Sequence, residues 1–254
     1  MSRREPVRPG IQPFPQVLSE NPLLSPQAAS LIRSQSRQQD LPEGVLAWDM
    51  GDENSDIFFP ISGMISVRVL TPDGRAIEVA SIGRETAGGL YEQAGRSPAL
   101  TYGVVAVPGR FARVSGSAFA AAVRENPEIR SLAAACDSWL LRQSQLVAAC
   151  NTVHPADCRF CRYLLRTSDG LAADVIPLTQ ETIAQSLGIR RTSATLIAQD
   201  LQQRGIISYR RGRIIIRDRA RLEAAACNCY AMLGRRYWPT FQPTGTRSLA
   251  QGVF

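Results

Sequence analysis

The residues best placed for specific chemistry lie between Leu178 and Gly205. Thr179 suits a helix N-cap, Ile183, Ala184 and Leu187 make a short apolar face, and Gly188 supplies the positive φ of a tight turn. Beyond it, Ala194, Ile197, Ala198 and Leu201 make a second apolar face that stops at Gly205. The opposite face of that second helix carries Arg191, Thr192, Thr195, Leu196 and Gln199, with Arg190 and Ser193 at its N-terminal rim. Arginine can donate two hydrogen bonds to guanine, threonine and leucine can touch the thymine methyl, and serine or threonine hydroxyls can bond bases or phosphates. This is a helix-turn-helix pattern, whose second helix is free to enter a major groove; Thr179 and Gln180, at the start of the first helix, complete its candidate DNA-contacting set.

Ile206 to Ile216 reads as two short strands around an Arg-Gly turn, a wing whose Arg210, Arg211 and Arg213 can straddle a phosphate backbone. Charge placement agrees. Residues 155–236 hold 14 arginines against 7 acids, while the remainder is balanced at 15 of each, so the net charge of +7 belongs to the C-terminal third. A basic module joined to a neutral one points to a polyanion, with nucleic acid first.

The other chemically capable residues are six cysteines, at 136, 150, 158, 161, 227 and 229, and one histidine, His154. Cys150, His154, Cys158 and Cys161 have helical spacing that suits zinc, but Pro155 interrupts the helix between them. Cys227 and Cys229, if helical, point apart. The sequence reading therefore expects no metal and no cofactor. It also expects no enzyme: one histidine at a junction completes no Ser-His-Asp set, and no phosphate-cradling glycine loop is present.

Several elements must position these residues. The 254-residue chain is 44% hydrophobic and 20% charged, suiting two globular domains, and no apolar run is long enough to span a bilayer. Residues 1–16 read as a disordered arm whose prolines replace the apolar core of a secretion signal, and 237–254 as a flexible tail. The cysteine distribution fits a reducing compartment, so a cytoplasmic location is expected. Residues 17–125 form the first domain. It begins with short helical turns and continues with strands at Ile57–Phe59, Met64–Leu70, Ala76–Ala80 and Gly103–Val107, including a hairpin at Thr71-Pro72-Asp73-Gly74. An antiparallel β-roll is predicted. Asn126 and Pro127 then start a helix running to residue 154, with a seam at Ile129, Leu132, Cys136, Trp139, Gln143, Leu146 and Cys150. That seam predicts a homodimer, the alternative being a helix packed on its own roll. The DNA-binding domain spans 155–236.

A β-roll, a long helix and a basic winged helix, in that order over roughly residues 17 to 230, resemble the Crp/Fnr superfamily of bacterial transcription regulators. Leu178 to Ile216 carries the strongest likeness, followed by Arg217 to Ala224, similar to the family's terminal helix. The resemblance implies an α+β chain with a cyclic-nucleotide-binding-like roll, a dimerisation helix and a winged helix-turn-helix. It also implies a homodimer on double-stranded DNA with a two-fold symmetric site, and RNA polymerase as a further partner if the protein activates. Gly83-Arg84-Glu85 and Arg96-Ser97 only loosely match the family's nucleotide loop, so Glu85, Arg96 and Ser97 are candidate contacts to an unknown small-molecule effector other than a cyclic nucleotide. No cysteine precedes Cys136 to hold an iron–sulfur cluster, and the roll has no histidine for haem. The competing reading is a sequence-blind nucleic-acid or protein interaction module with a degenerate ligand domain.

Overall fold

The structure is a computed structural model and describes residues 15–53, 56–90, 98–210 and 212–234. Nearly all of the expected arm and tail, together with Arg96, Ser97 and Arg211, lie outside the described residues.

Two short helices, α1 (Gln16–Ser19) and α2 (Pro26–Gln35), precede seven strands: β1 (Ser36–Leu41), β2 (Leu46–Trp48), β3 (Ile57–Pro60), β4 (Met64–Leu70), β5 (Ala76–Ile82), β6 (Tyr102–Val107) and β7 (Gly109–Val114). They form two antiparallel sheets, ordered β1-β7-β3 and β2-β6-β4-β5. The period of two along a strand explains why β3 is buried on both faces. Phe58 points between the sheets with Phe111, Ile65 and Val105, whereas Ile57 and Phe59 point outward under helices. The expected hairpin joins β4 to β5, with Gly74 at φ 81° and Leu70 opposite Ala76.

Helix α3 (Gly116–Glu125), capped by Ser115, was not read from the sequence. Helix α4 (Pro127–Val153) starts where expected: the Asn126 side chain accepts from the Glu128 and Ile129 backbone N–H groups, and Pro127 occupies the first turn. In the single chain its apolar face, which carries the residues of the expected seam, packs against that chain's own elements. Ile129, Leu132 and Cys136 complete the core with α1, α2, α3 and the outer face of β3 and β7. Trp139 lies beneath the Arg166 guanidinium, 5.2 Å from the ring centroid, and Gln143 bonds to Ser81. Leu146 packs beside Cys150, which is fully buried against Cys227. A helix on its own roll and a coiled-coil seam require the same stripe, and here the roll takes it.

After the break at His154-Pro155 come α5 (Ala156–Leu171), β8 (Val175–Ile176), α6 (Gln180–Leu187), α7 (Arg191–Gln203), β9 (Ile207–Arg210), β10 (Arg213–Ile216), α8 (Arg219–Ala225) and α9 (Cys229–Gly234). Phe160, Leu164, Ile183, Ala198, Leu201 and Ile214 centre the second core, which Met64 and Val107 of the roll also join. The two halves are docked closely. The Arg84 N–H donates to the Gly170 carbonyl at 3.1 Å, and a Cβ on Gly83 would fall 2.7 Å from Gly170 Cα, so only glycine fits there. Arg166 pairs with Glu85 at 3.3 Å, both side chains being almost fully buried. Among the described residues no helix is long and apolar enough to cross a membrane.

Candidate nucleic-acid interface

Local chemistry builds the helix-turn-helix as the sequence suggests. Thr179 Oγ1 accepts from the Thr182 N–H at 3.1 Å, capping α6, and Gly188 ends it at φ 63°. Ala194, Ala198 and Leu201 of α7 are buried, Ile197 is partly covered, and Gly205 stops the chain at φ 71°. The small Ala184 lets the two helices cross closely within the same core.

The opposite face of α7 is open. Arg190, Arg191, Thr192 and Gln199 are exposed, Ser193 and Thr195 are half-buried, and Leu196 is 67% exposed. Thr195 Oγ1 donates to Gln180 Oε1 at 2.9 Å, so these two site residues meet at the contact between α6 and α7. Arg191 Nε lies 3.4 Å from the Glu181 carboxylate, an exposed pair whose strength in water is small and which an incoming base or phosphate can replace. No side chain caps α7. Its first N–H groups and its positive dipole end therefore face outward beside Arg190 and Arg191.

The wing follows directly. β9 and β10 pair antiparallel with Arg210 opposite Arg213, both exposed at the tip, and Gly212 turns the chain at φ 73°. Gln202 Oε1 accepts from the Tyr209 N–H at 2.8 Å, fixing the wing to α7, and a Cβ on Gly212 would stand 3.9 Å from Thr179 Cγ2. Wing tip, α6 N-terminus and α7 thus border one surface. It brings together Thr179, Gln180, Arg190, Arg191, Thr192, Gln199, Arg210 and Arg213.

The roll contains a separate cavity of about 440 Å3, lined by Trp48, Val67, Val79, Leu90, Ala99 and Leu140 among others. Inward residues of alternating strands make it apolar, a signal present in the sequence pattern but not converted there into a site. Glu85 does not line it. Its carboxyl is buried against Arg166, with burial raising its pKa and Arg166 opposing the rise.

Residues 158–225 match the Crp-like helix-turn-helix domain family. No curated protein matches the chain. Among solved structures, FixK2 from Bradyrhizobium japonicum is similar at 18% identity and TM-score 0.65, over 76% of this chain and 98% of that one. The c-di-GMP responsive global regulator CLP from Xanthomonas campestris aligns at 16% identity and TM-score 0.62, over 76% and 99%. TTHA1359, a transcriptional regulator of the CRP/FNR family from Thermus thermophilus, aligns at 17% and 0.62, over 75% and 98%. The chain therefore has the Crp/Fnr fold, with a Crp-like helix-turn-helix domain at its C-terminal end.

Proposed function

From that fold and that domain, we propose that the protein is a homodimeric, sequence-specific, double-stranded-DNA-binding transcription regulator acting in the cytoplasm, and not an enzyme. The observation that carries the reading is the exposed face of α7. It presents Arg190, Arg191, Thr192, Leu196 and Gln199 to solvent between the start of α6 and a wing tipped by arginines. Arg191, Thr192, Ser193, Thr195 and Gln199 read bases, with Leu196 beside them. Thr179, Gln180, Arg190, Arg210, Arg211 and Arg213 hold the phosphates.

The dimer uses the outward face of α4. Ala134, Ser138, Leu141, Gln145 and Ala148 are exposed there at alternating steps of four and three, and Leu141 is 48% exposed. Two copies related by a two-fold axis would address half-sites about one helical turn apart. The apolar cavity of the roll supports an apolar effector instead of a cyclic phosphate, since its described lining carries no charged side chain.

Selection from randomised duplex DNA tests the proposal. A two-fold symmetric enriched motif is expected. Retention without any sequence preference, persisting when cell extract is added as a source of effector, would favour the sequence-blind interaction module.

A further inference from the structure

Four potential metal ligands converge where α4 ends. Cys150 Sγ lies 3.5 Å from Cys227 Sγ, Cys229 Sγ lies 3.6 Å from His154 Nδ1, and the ligand atoms of all four residues fall within 4.8 Å of one another. We propose that Cys150, His154, Cys227 and Cys229 form a thiolate-rich zinc(II) site that fastens the end of α4 to the junction of α8 and α9.

The distances carry this assignment. Zinc–sulfur bonds of about 2.3 Å and zinc–nitrogen bonds of about 2.0 Å in a tetrahedron put neighbouring ligand atoms about 3.5–3.8 Å apart. The Cys150–Cys227 and Cys229–His154 separations match those edges, and the remaining pairs, all within 4.8 Å, need close by no more than about 1 Å to hold one ion. Cys150 and Cys227 are free thiols here, with no disulfide between them. Three thiolates and one imidazole in tetrahedral array form a borderline-soft donor set that suits zinc.

Local structure explains how the four meet. Cys150 lies in the last turn of α4 and His154 is the residue that ends it, tied back by its N–H donating to the Cys150 carbonyl at 3.1 Å. Cys227 precedes the first residue of α9, so it and Cys229 escape the helical geometry that would aim them apart. Cys150 is fully buried, Cys227 and Cys229 are nearly so, and the partly exposed His154 leaves a route for the ion. Cys161 instead enters the core of the C-terminal domain.

Binding needs only acid–base chemistry. Each of the three thiols releases its proton to solvent, the sulfur lone pairs bind the ion, and neutral His154 binds through Nδ1 while Nε2 keeps its hydrogen. Because His154 and Pro155 form the break between α4 and α5, the ion spans the joint between the long helix and the helix-turn-helix domain. This inference does not depend on the DNA-binding reading.

The test is metal analysis of the full-length protein, purified without a histidine tag, loaded with zinc and dialysed. One zinc per chain is expected. It should fall by at least tenfold in Cys150→Ala and in Cys227→Ala, while Cys136→Ala, in the roll core, retains it. Since a ligand variant can fail to fold, the wild-type protein is also loaded with cobalt(II). It should show intense visible bands of tetrahedral cobalt together with thiolate-to-cobalt charge transfer. Absence of those bands, substoichiometric zinc, or recovery of a Cys150–Cys227 disulfide peptide under reducing purification would overturn the proposal.

Discussion

Gln143 of α4 is bonded twice to the backbone of Ser81 in β5: its Nε2 donates to the Ser81 carbonyl at 3.0 Å, and its Oε1 accepts from the Ser81 N–H at 3.3 Å. This polar residue therefore seats the long helix on its own roll, and the exposed outward stripe around Leu141 is the face proposed above for a second copy. Leu141→Glu should convert the dimer to monomer in sedimentation with little loss of fold. Gln143→Ala should stay dimeric but lose about 1–3 kcal/mol in denaturant melts, because two buried backbone groups lose their partner. A monomeric Gln143→Ala beside a dimeric Leu141→Glu would restore the original seam.

How far the sequence could be read depends on which signals are local. Asn126 and Pro127 marked the start of α4, and Gly188, Gly205 and Gly212 marked turns that do adopt positive φ, because capping and backbone freedom act within a few residues. The same locality hid other features. β1, Ser-Arg-Gln-Gln-Asp-Leu, has too polar a pattern to declare itself, and it is a strand because it pairs with β7 along its length. Sequence spacing groups Cys150 and His154 with Cys158 and Cys161, and sets Cys227 and Cys229 apart on a helix. Folding instead joins residues 77 apart, Cys150 and Cys227.

The wing should behave as a phosphate contact. Arg210→Ala and Arg213→Ala should weaken binding to all duplexes alike, and each should lower the slope of log affinity against log salt by about 1 per arginine. A loss confined to the selected motif would move these residues into the base-reading set.

The Arg166–Glu85 pair joins the two halves in a buried setting. Replacing one partner strands the other, so Arg166→Met should destabilise the protein by about 3–5 kcal/mol in urea melts. The double variant Arg166→Met with Glu85→Gln should recover part of that loss. Additive losses would show that the pair is not coupled.

Docking should also respond to pH through Glu78. Its carboxyl accepts from Ser66 Oγ at 2.6 Å and from the Tyr163 hydroxyl at 3.4 Å, with Arg68 of β4, Arg162 of α5 and Ser186 of α6 around it. Burial raises its pKa above the ordinary carboxylate value, outweighing these hydrogen bonds and charges. A raised folded-state pKa contributes stability that is present below the unfolded pKa and lost as pH rises through the folded one. Wild type should therefore lose stability relative to Glu78→Gln as pH rises across that window, measured by melts at stepped pH. A gain over the same window would contradict the assignment.

The central claim is that the exposed face of α7 reads base sequence, and the most direct test repeats the duplex selection with Arg191→Ala beside wild type. Wild type should yield a two-fold symmetric motif. The variant should relax that motif at one position in each half-site, with about 1–3 kcal/mol less affinity for the wild-type sequence and an undiminished grip on non-specific DNA. The same motif at the same affinity from both proteins would remove Arg191 from the reading set and contradict the placement of α7 in the groove.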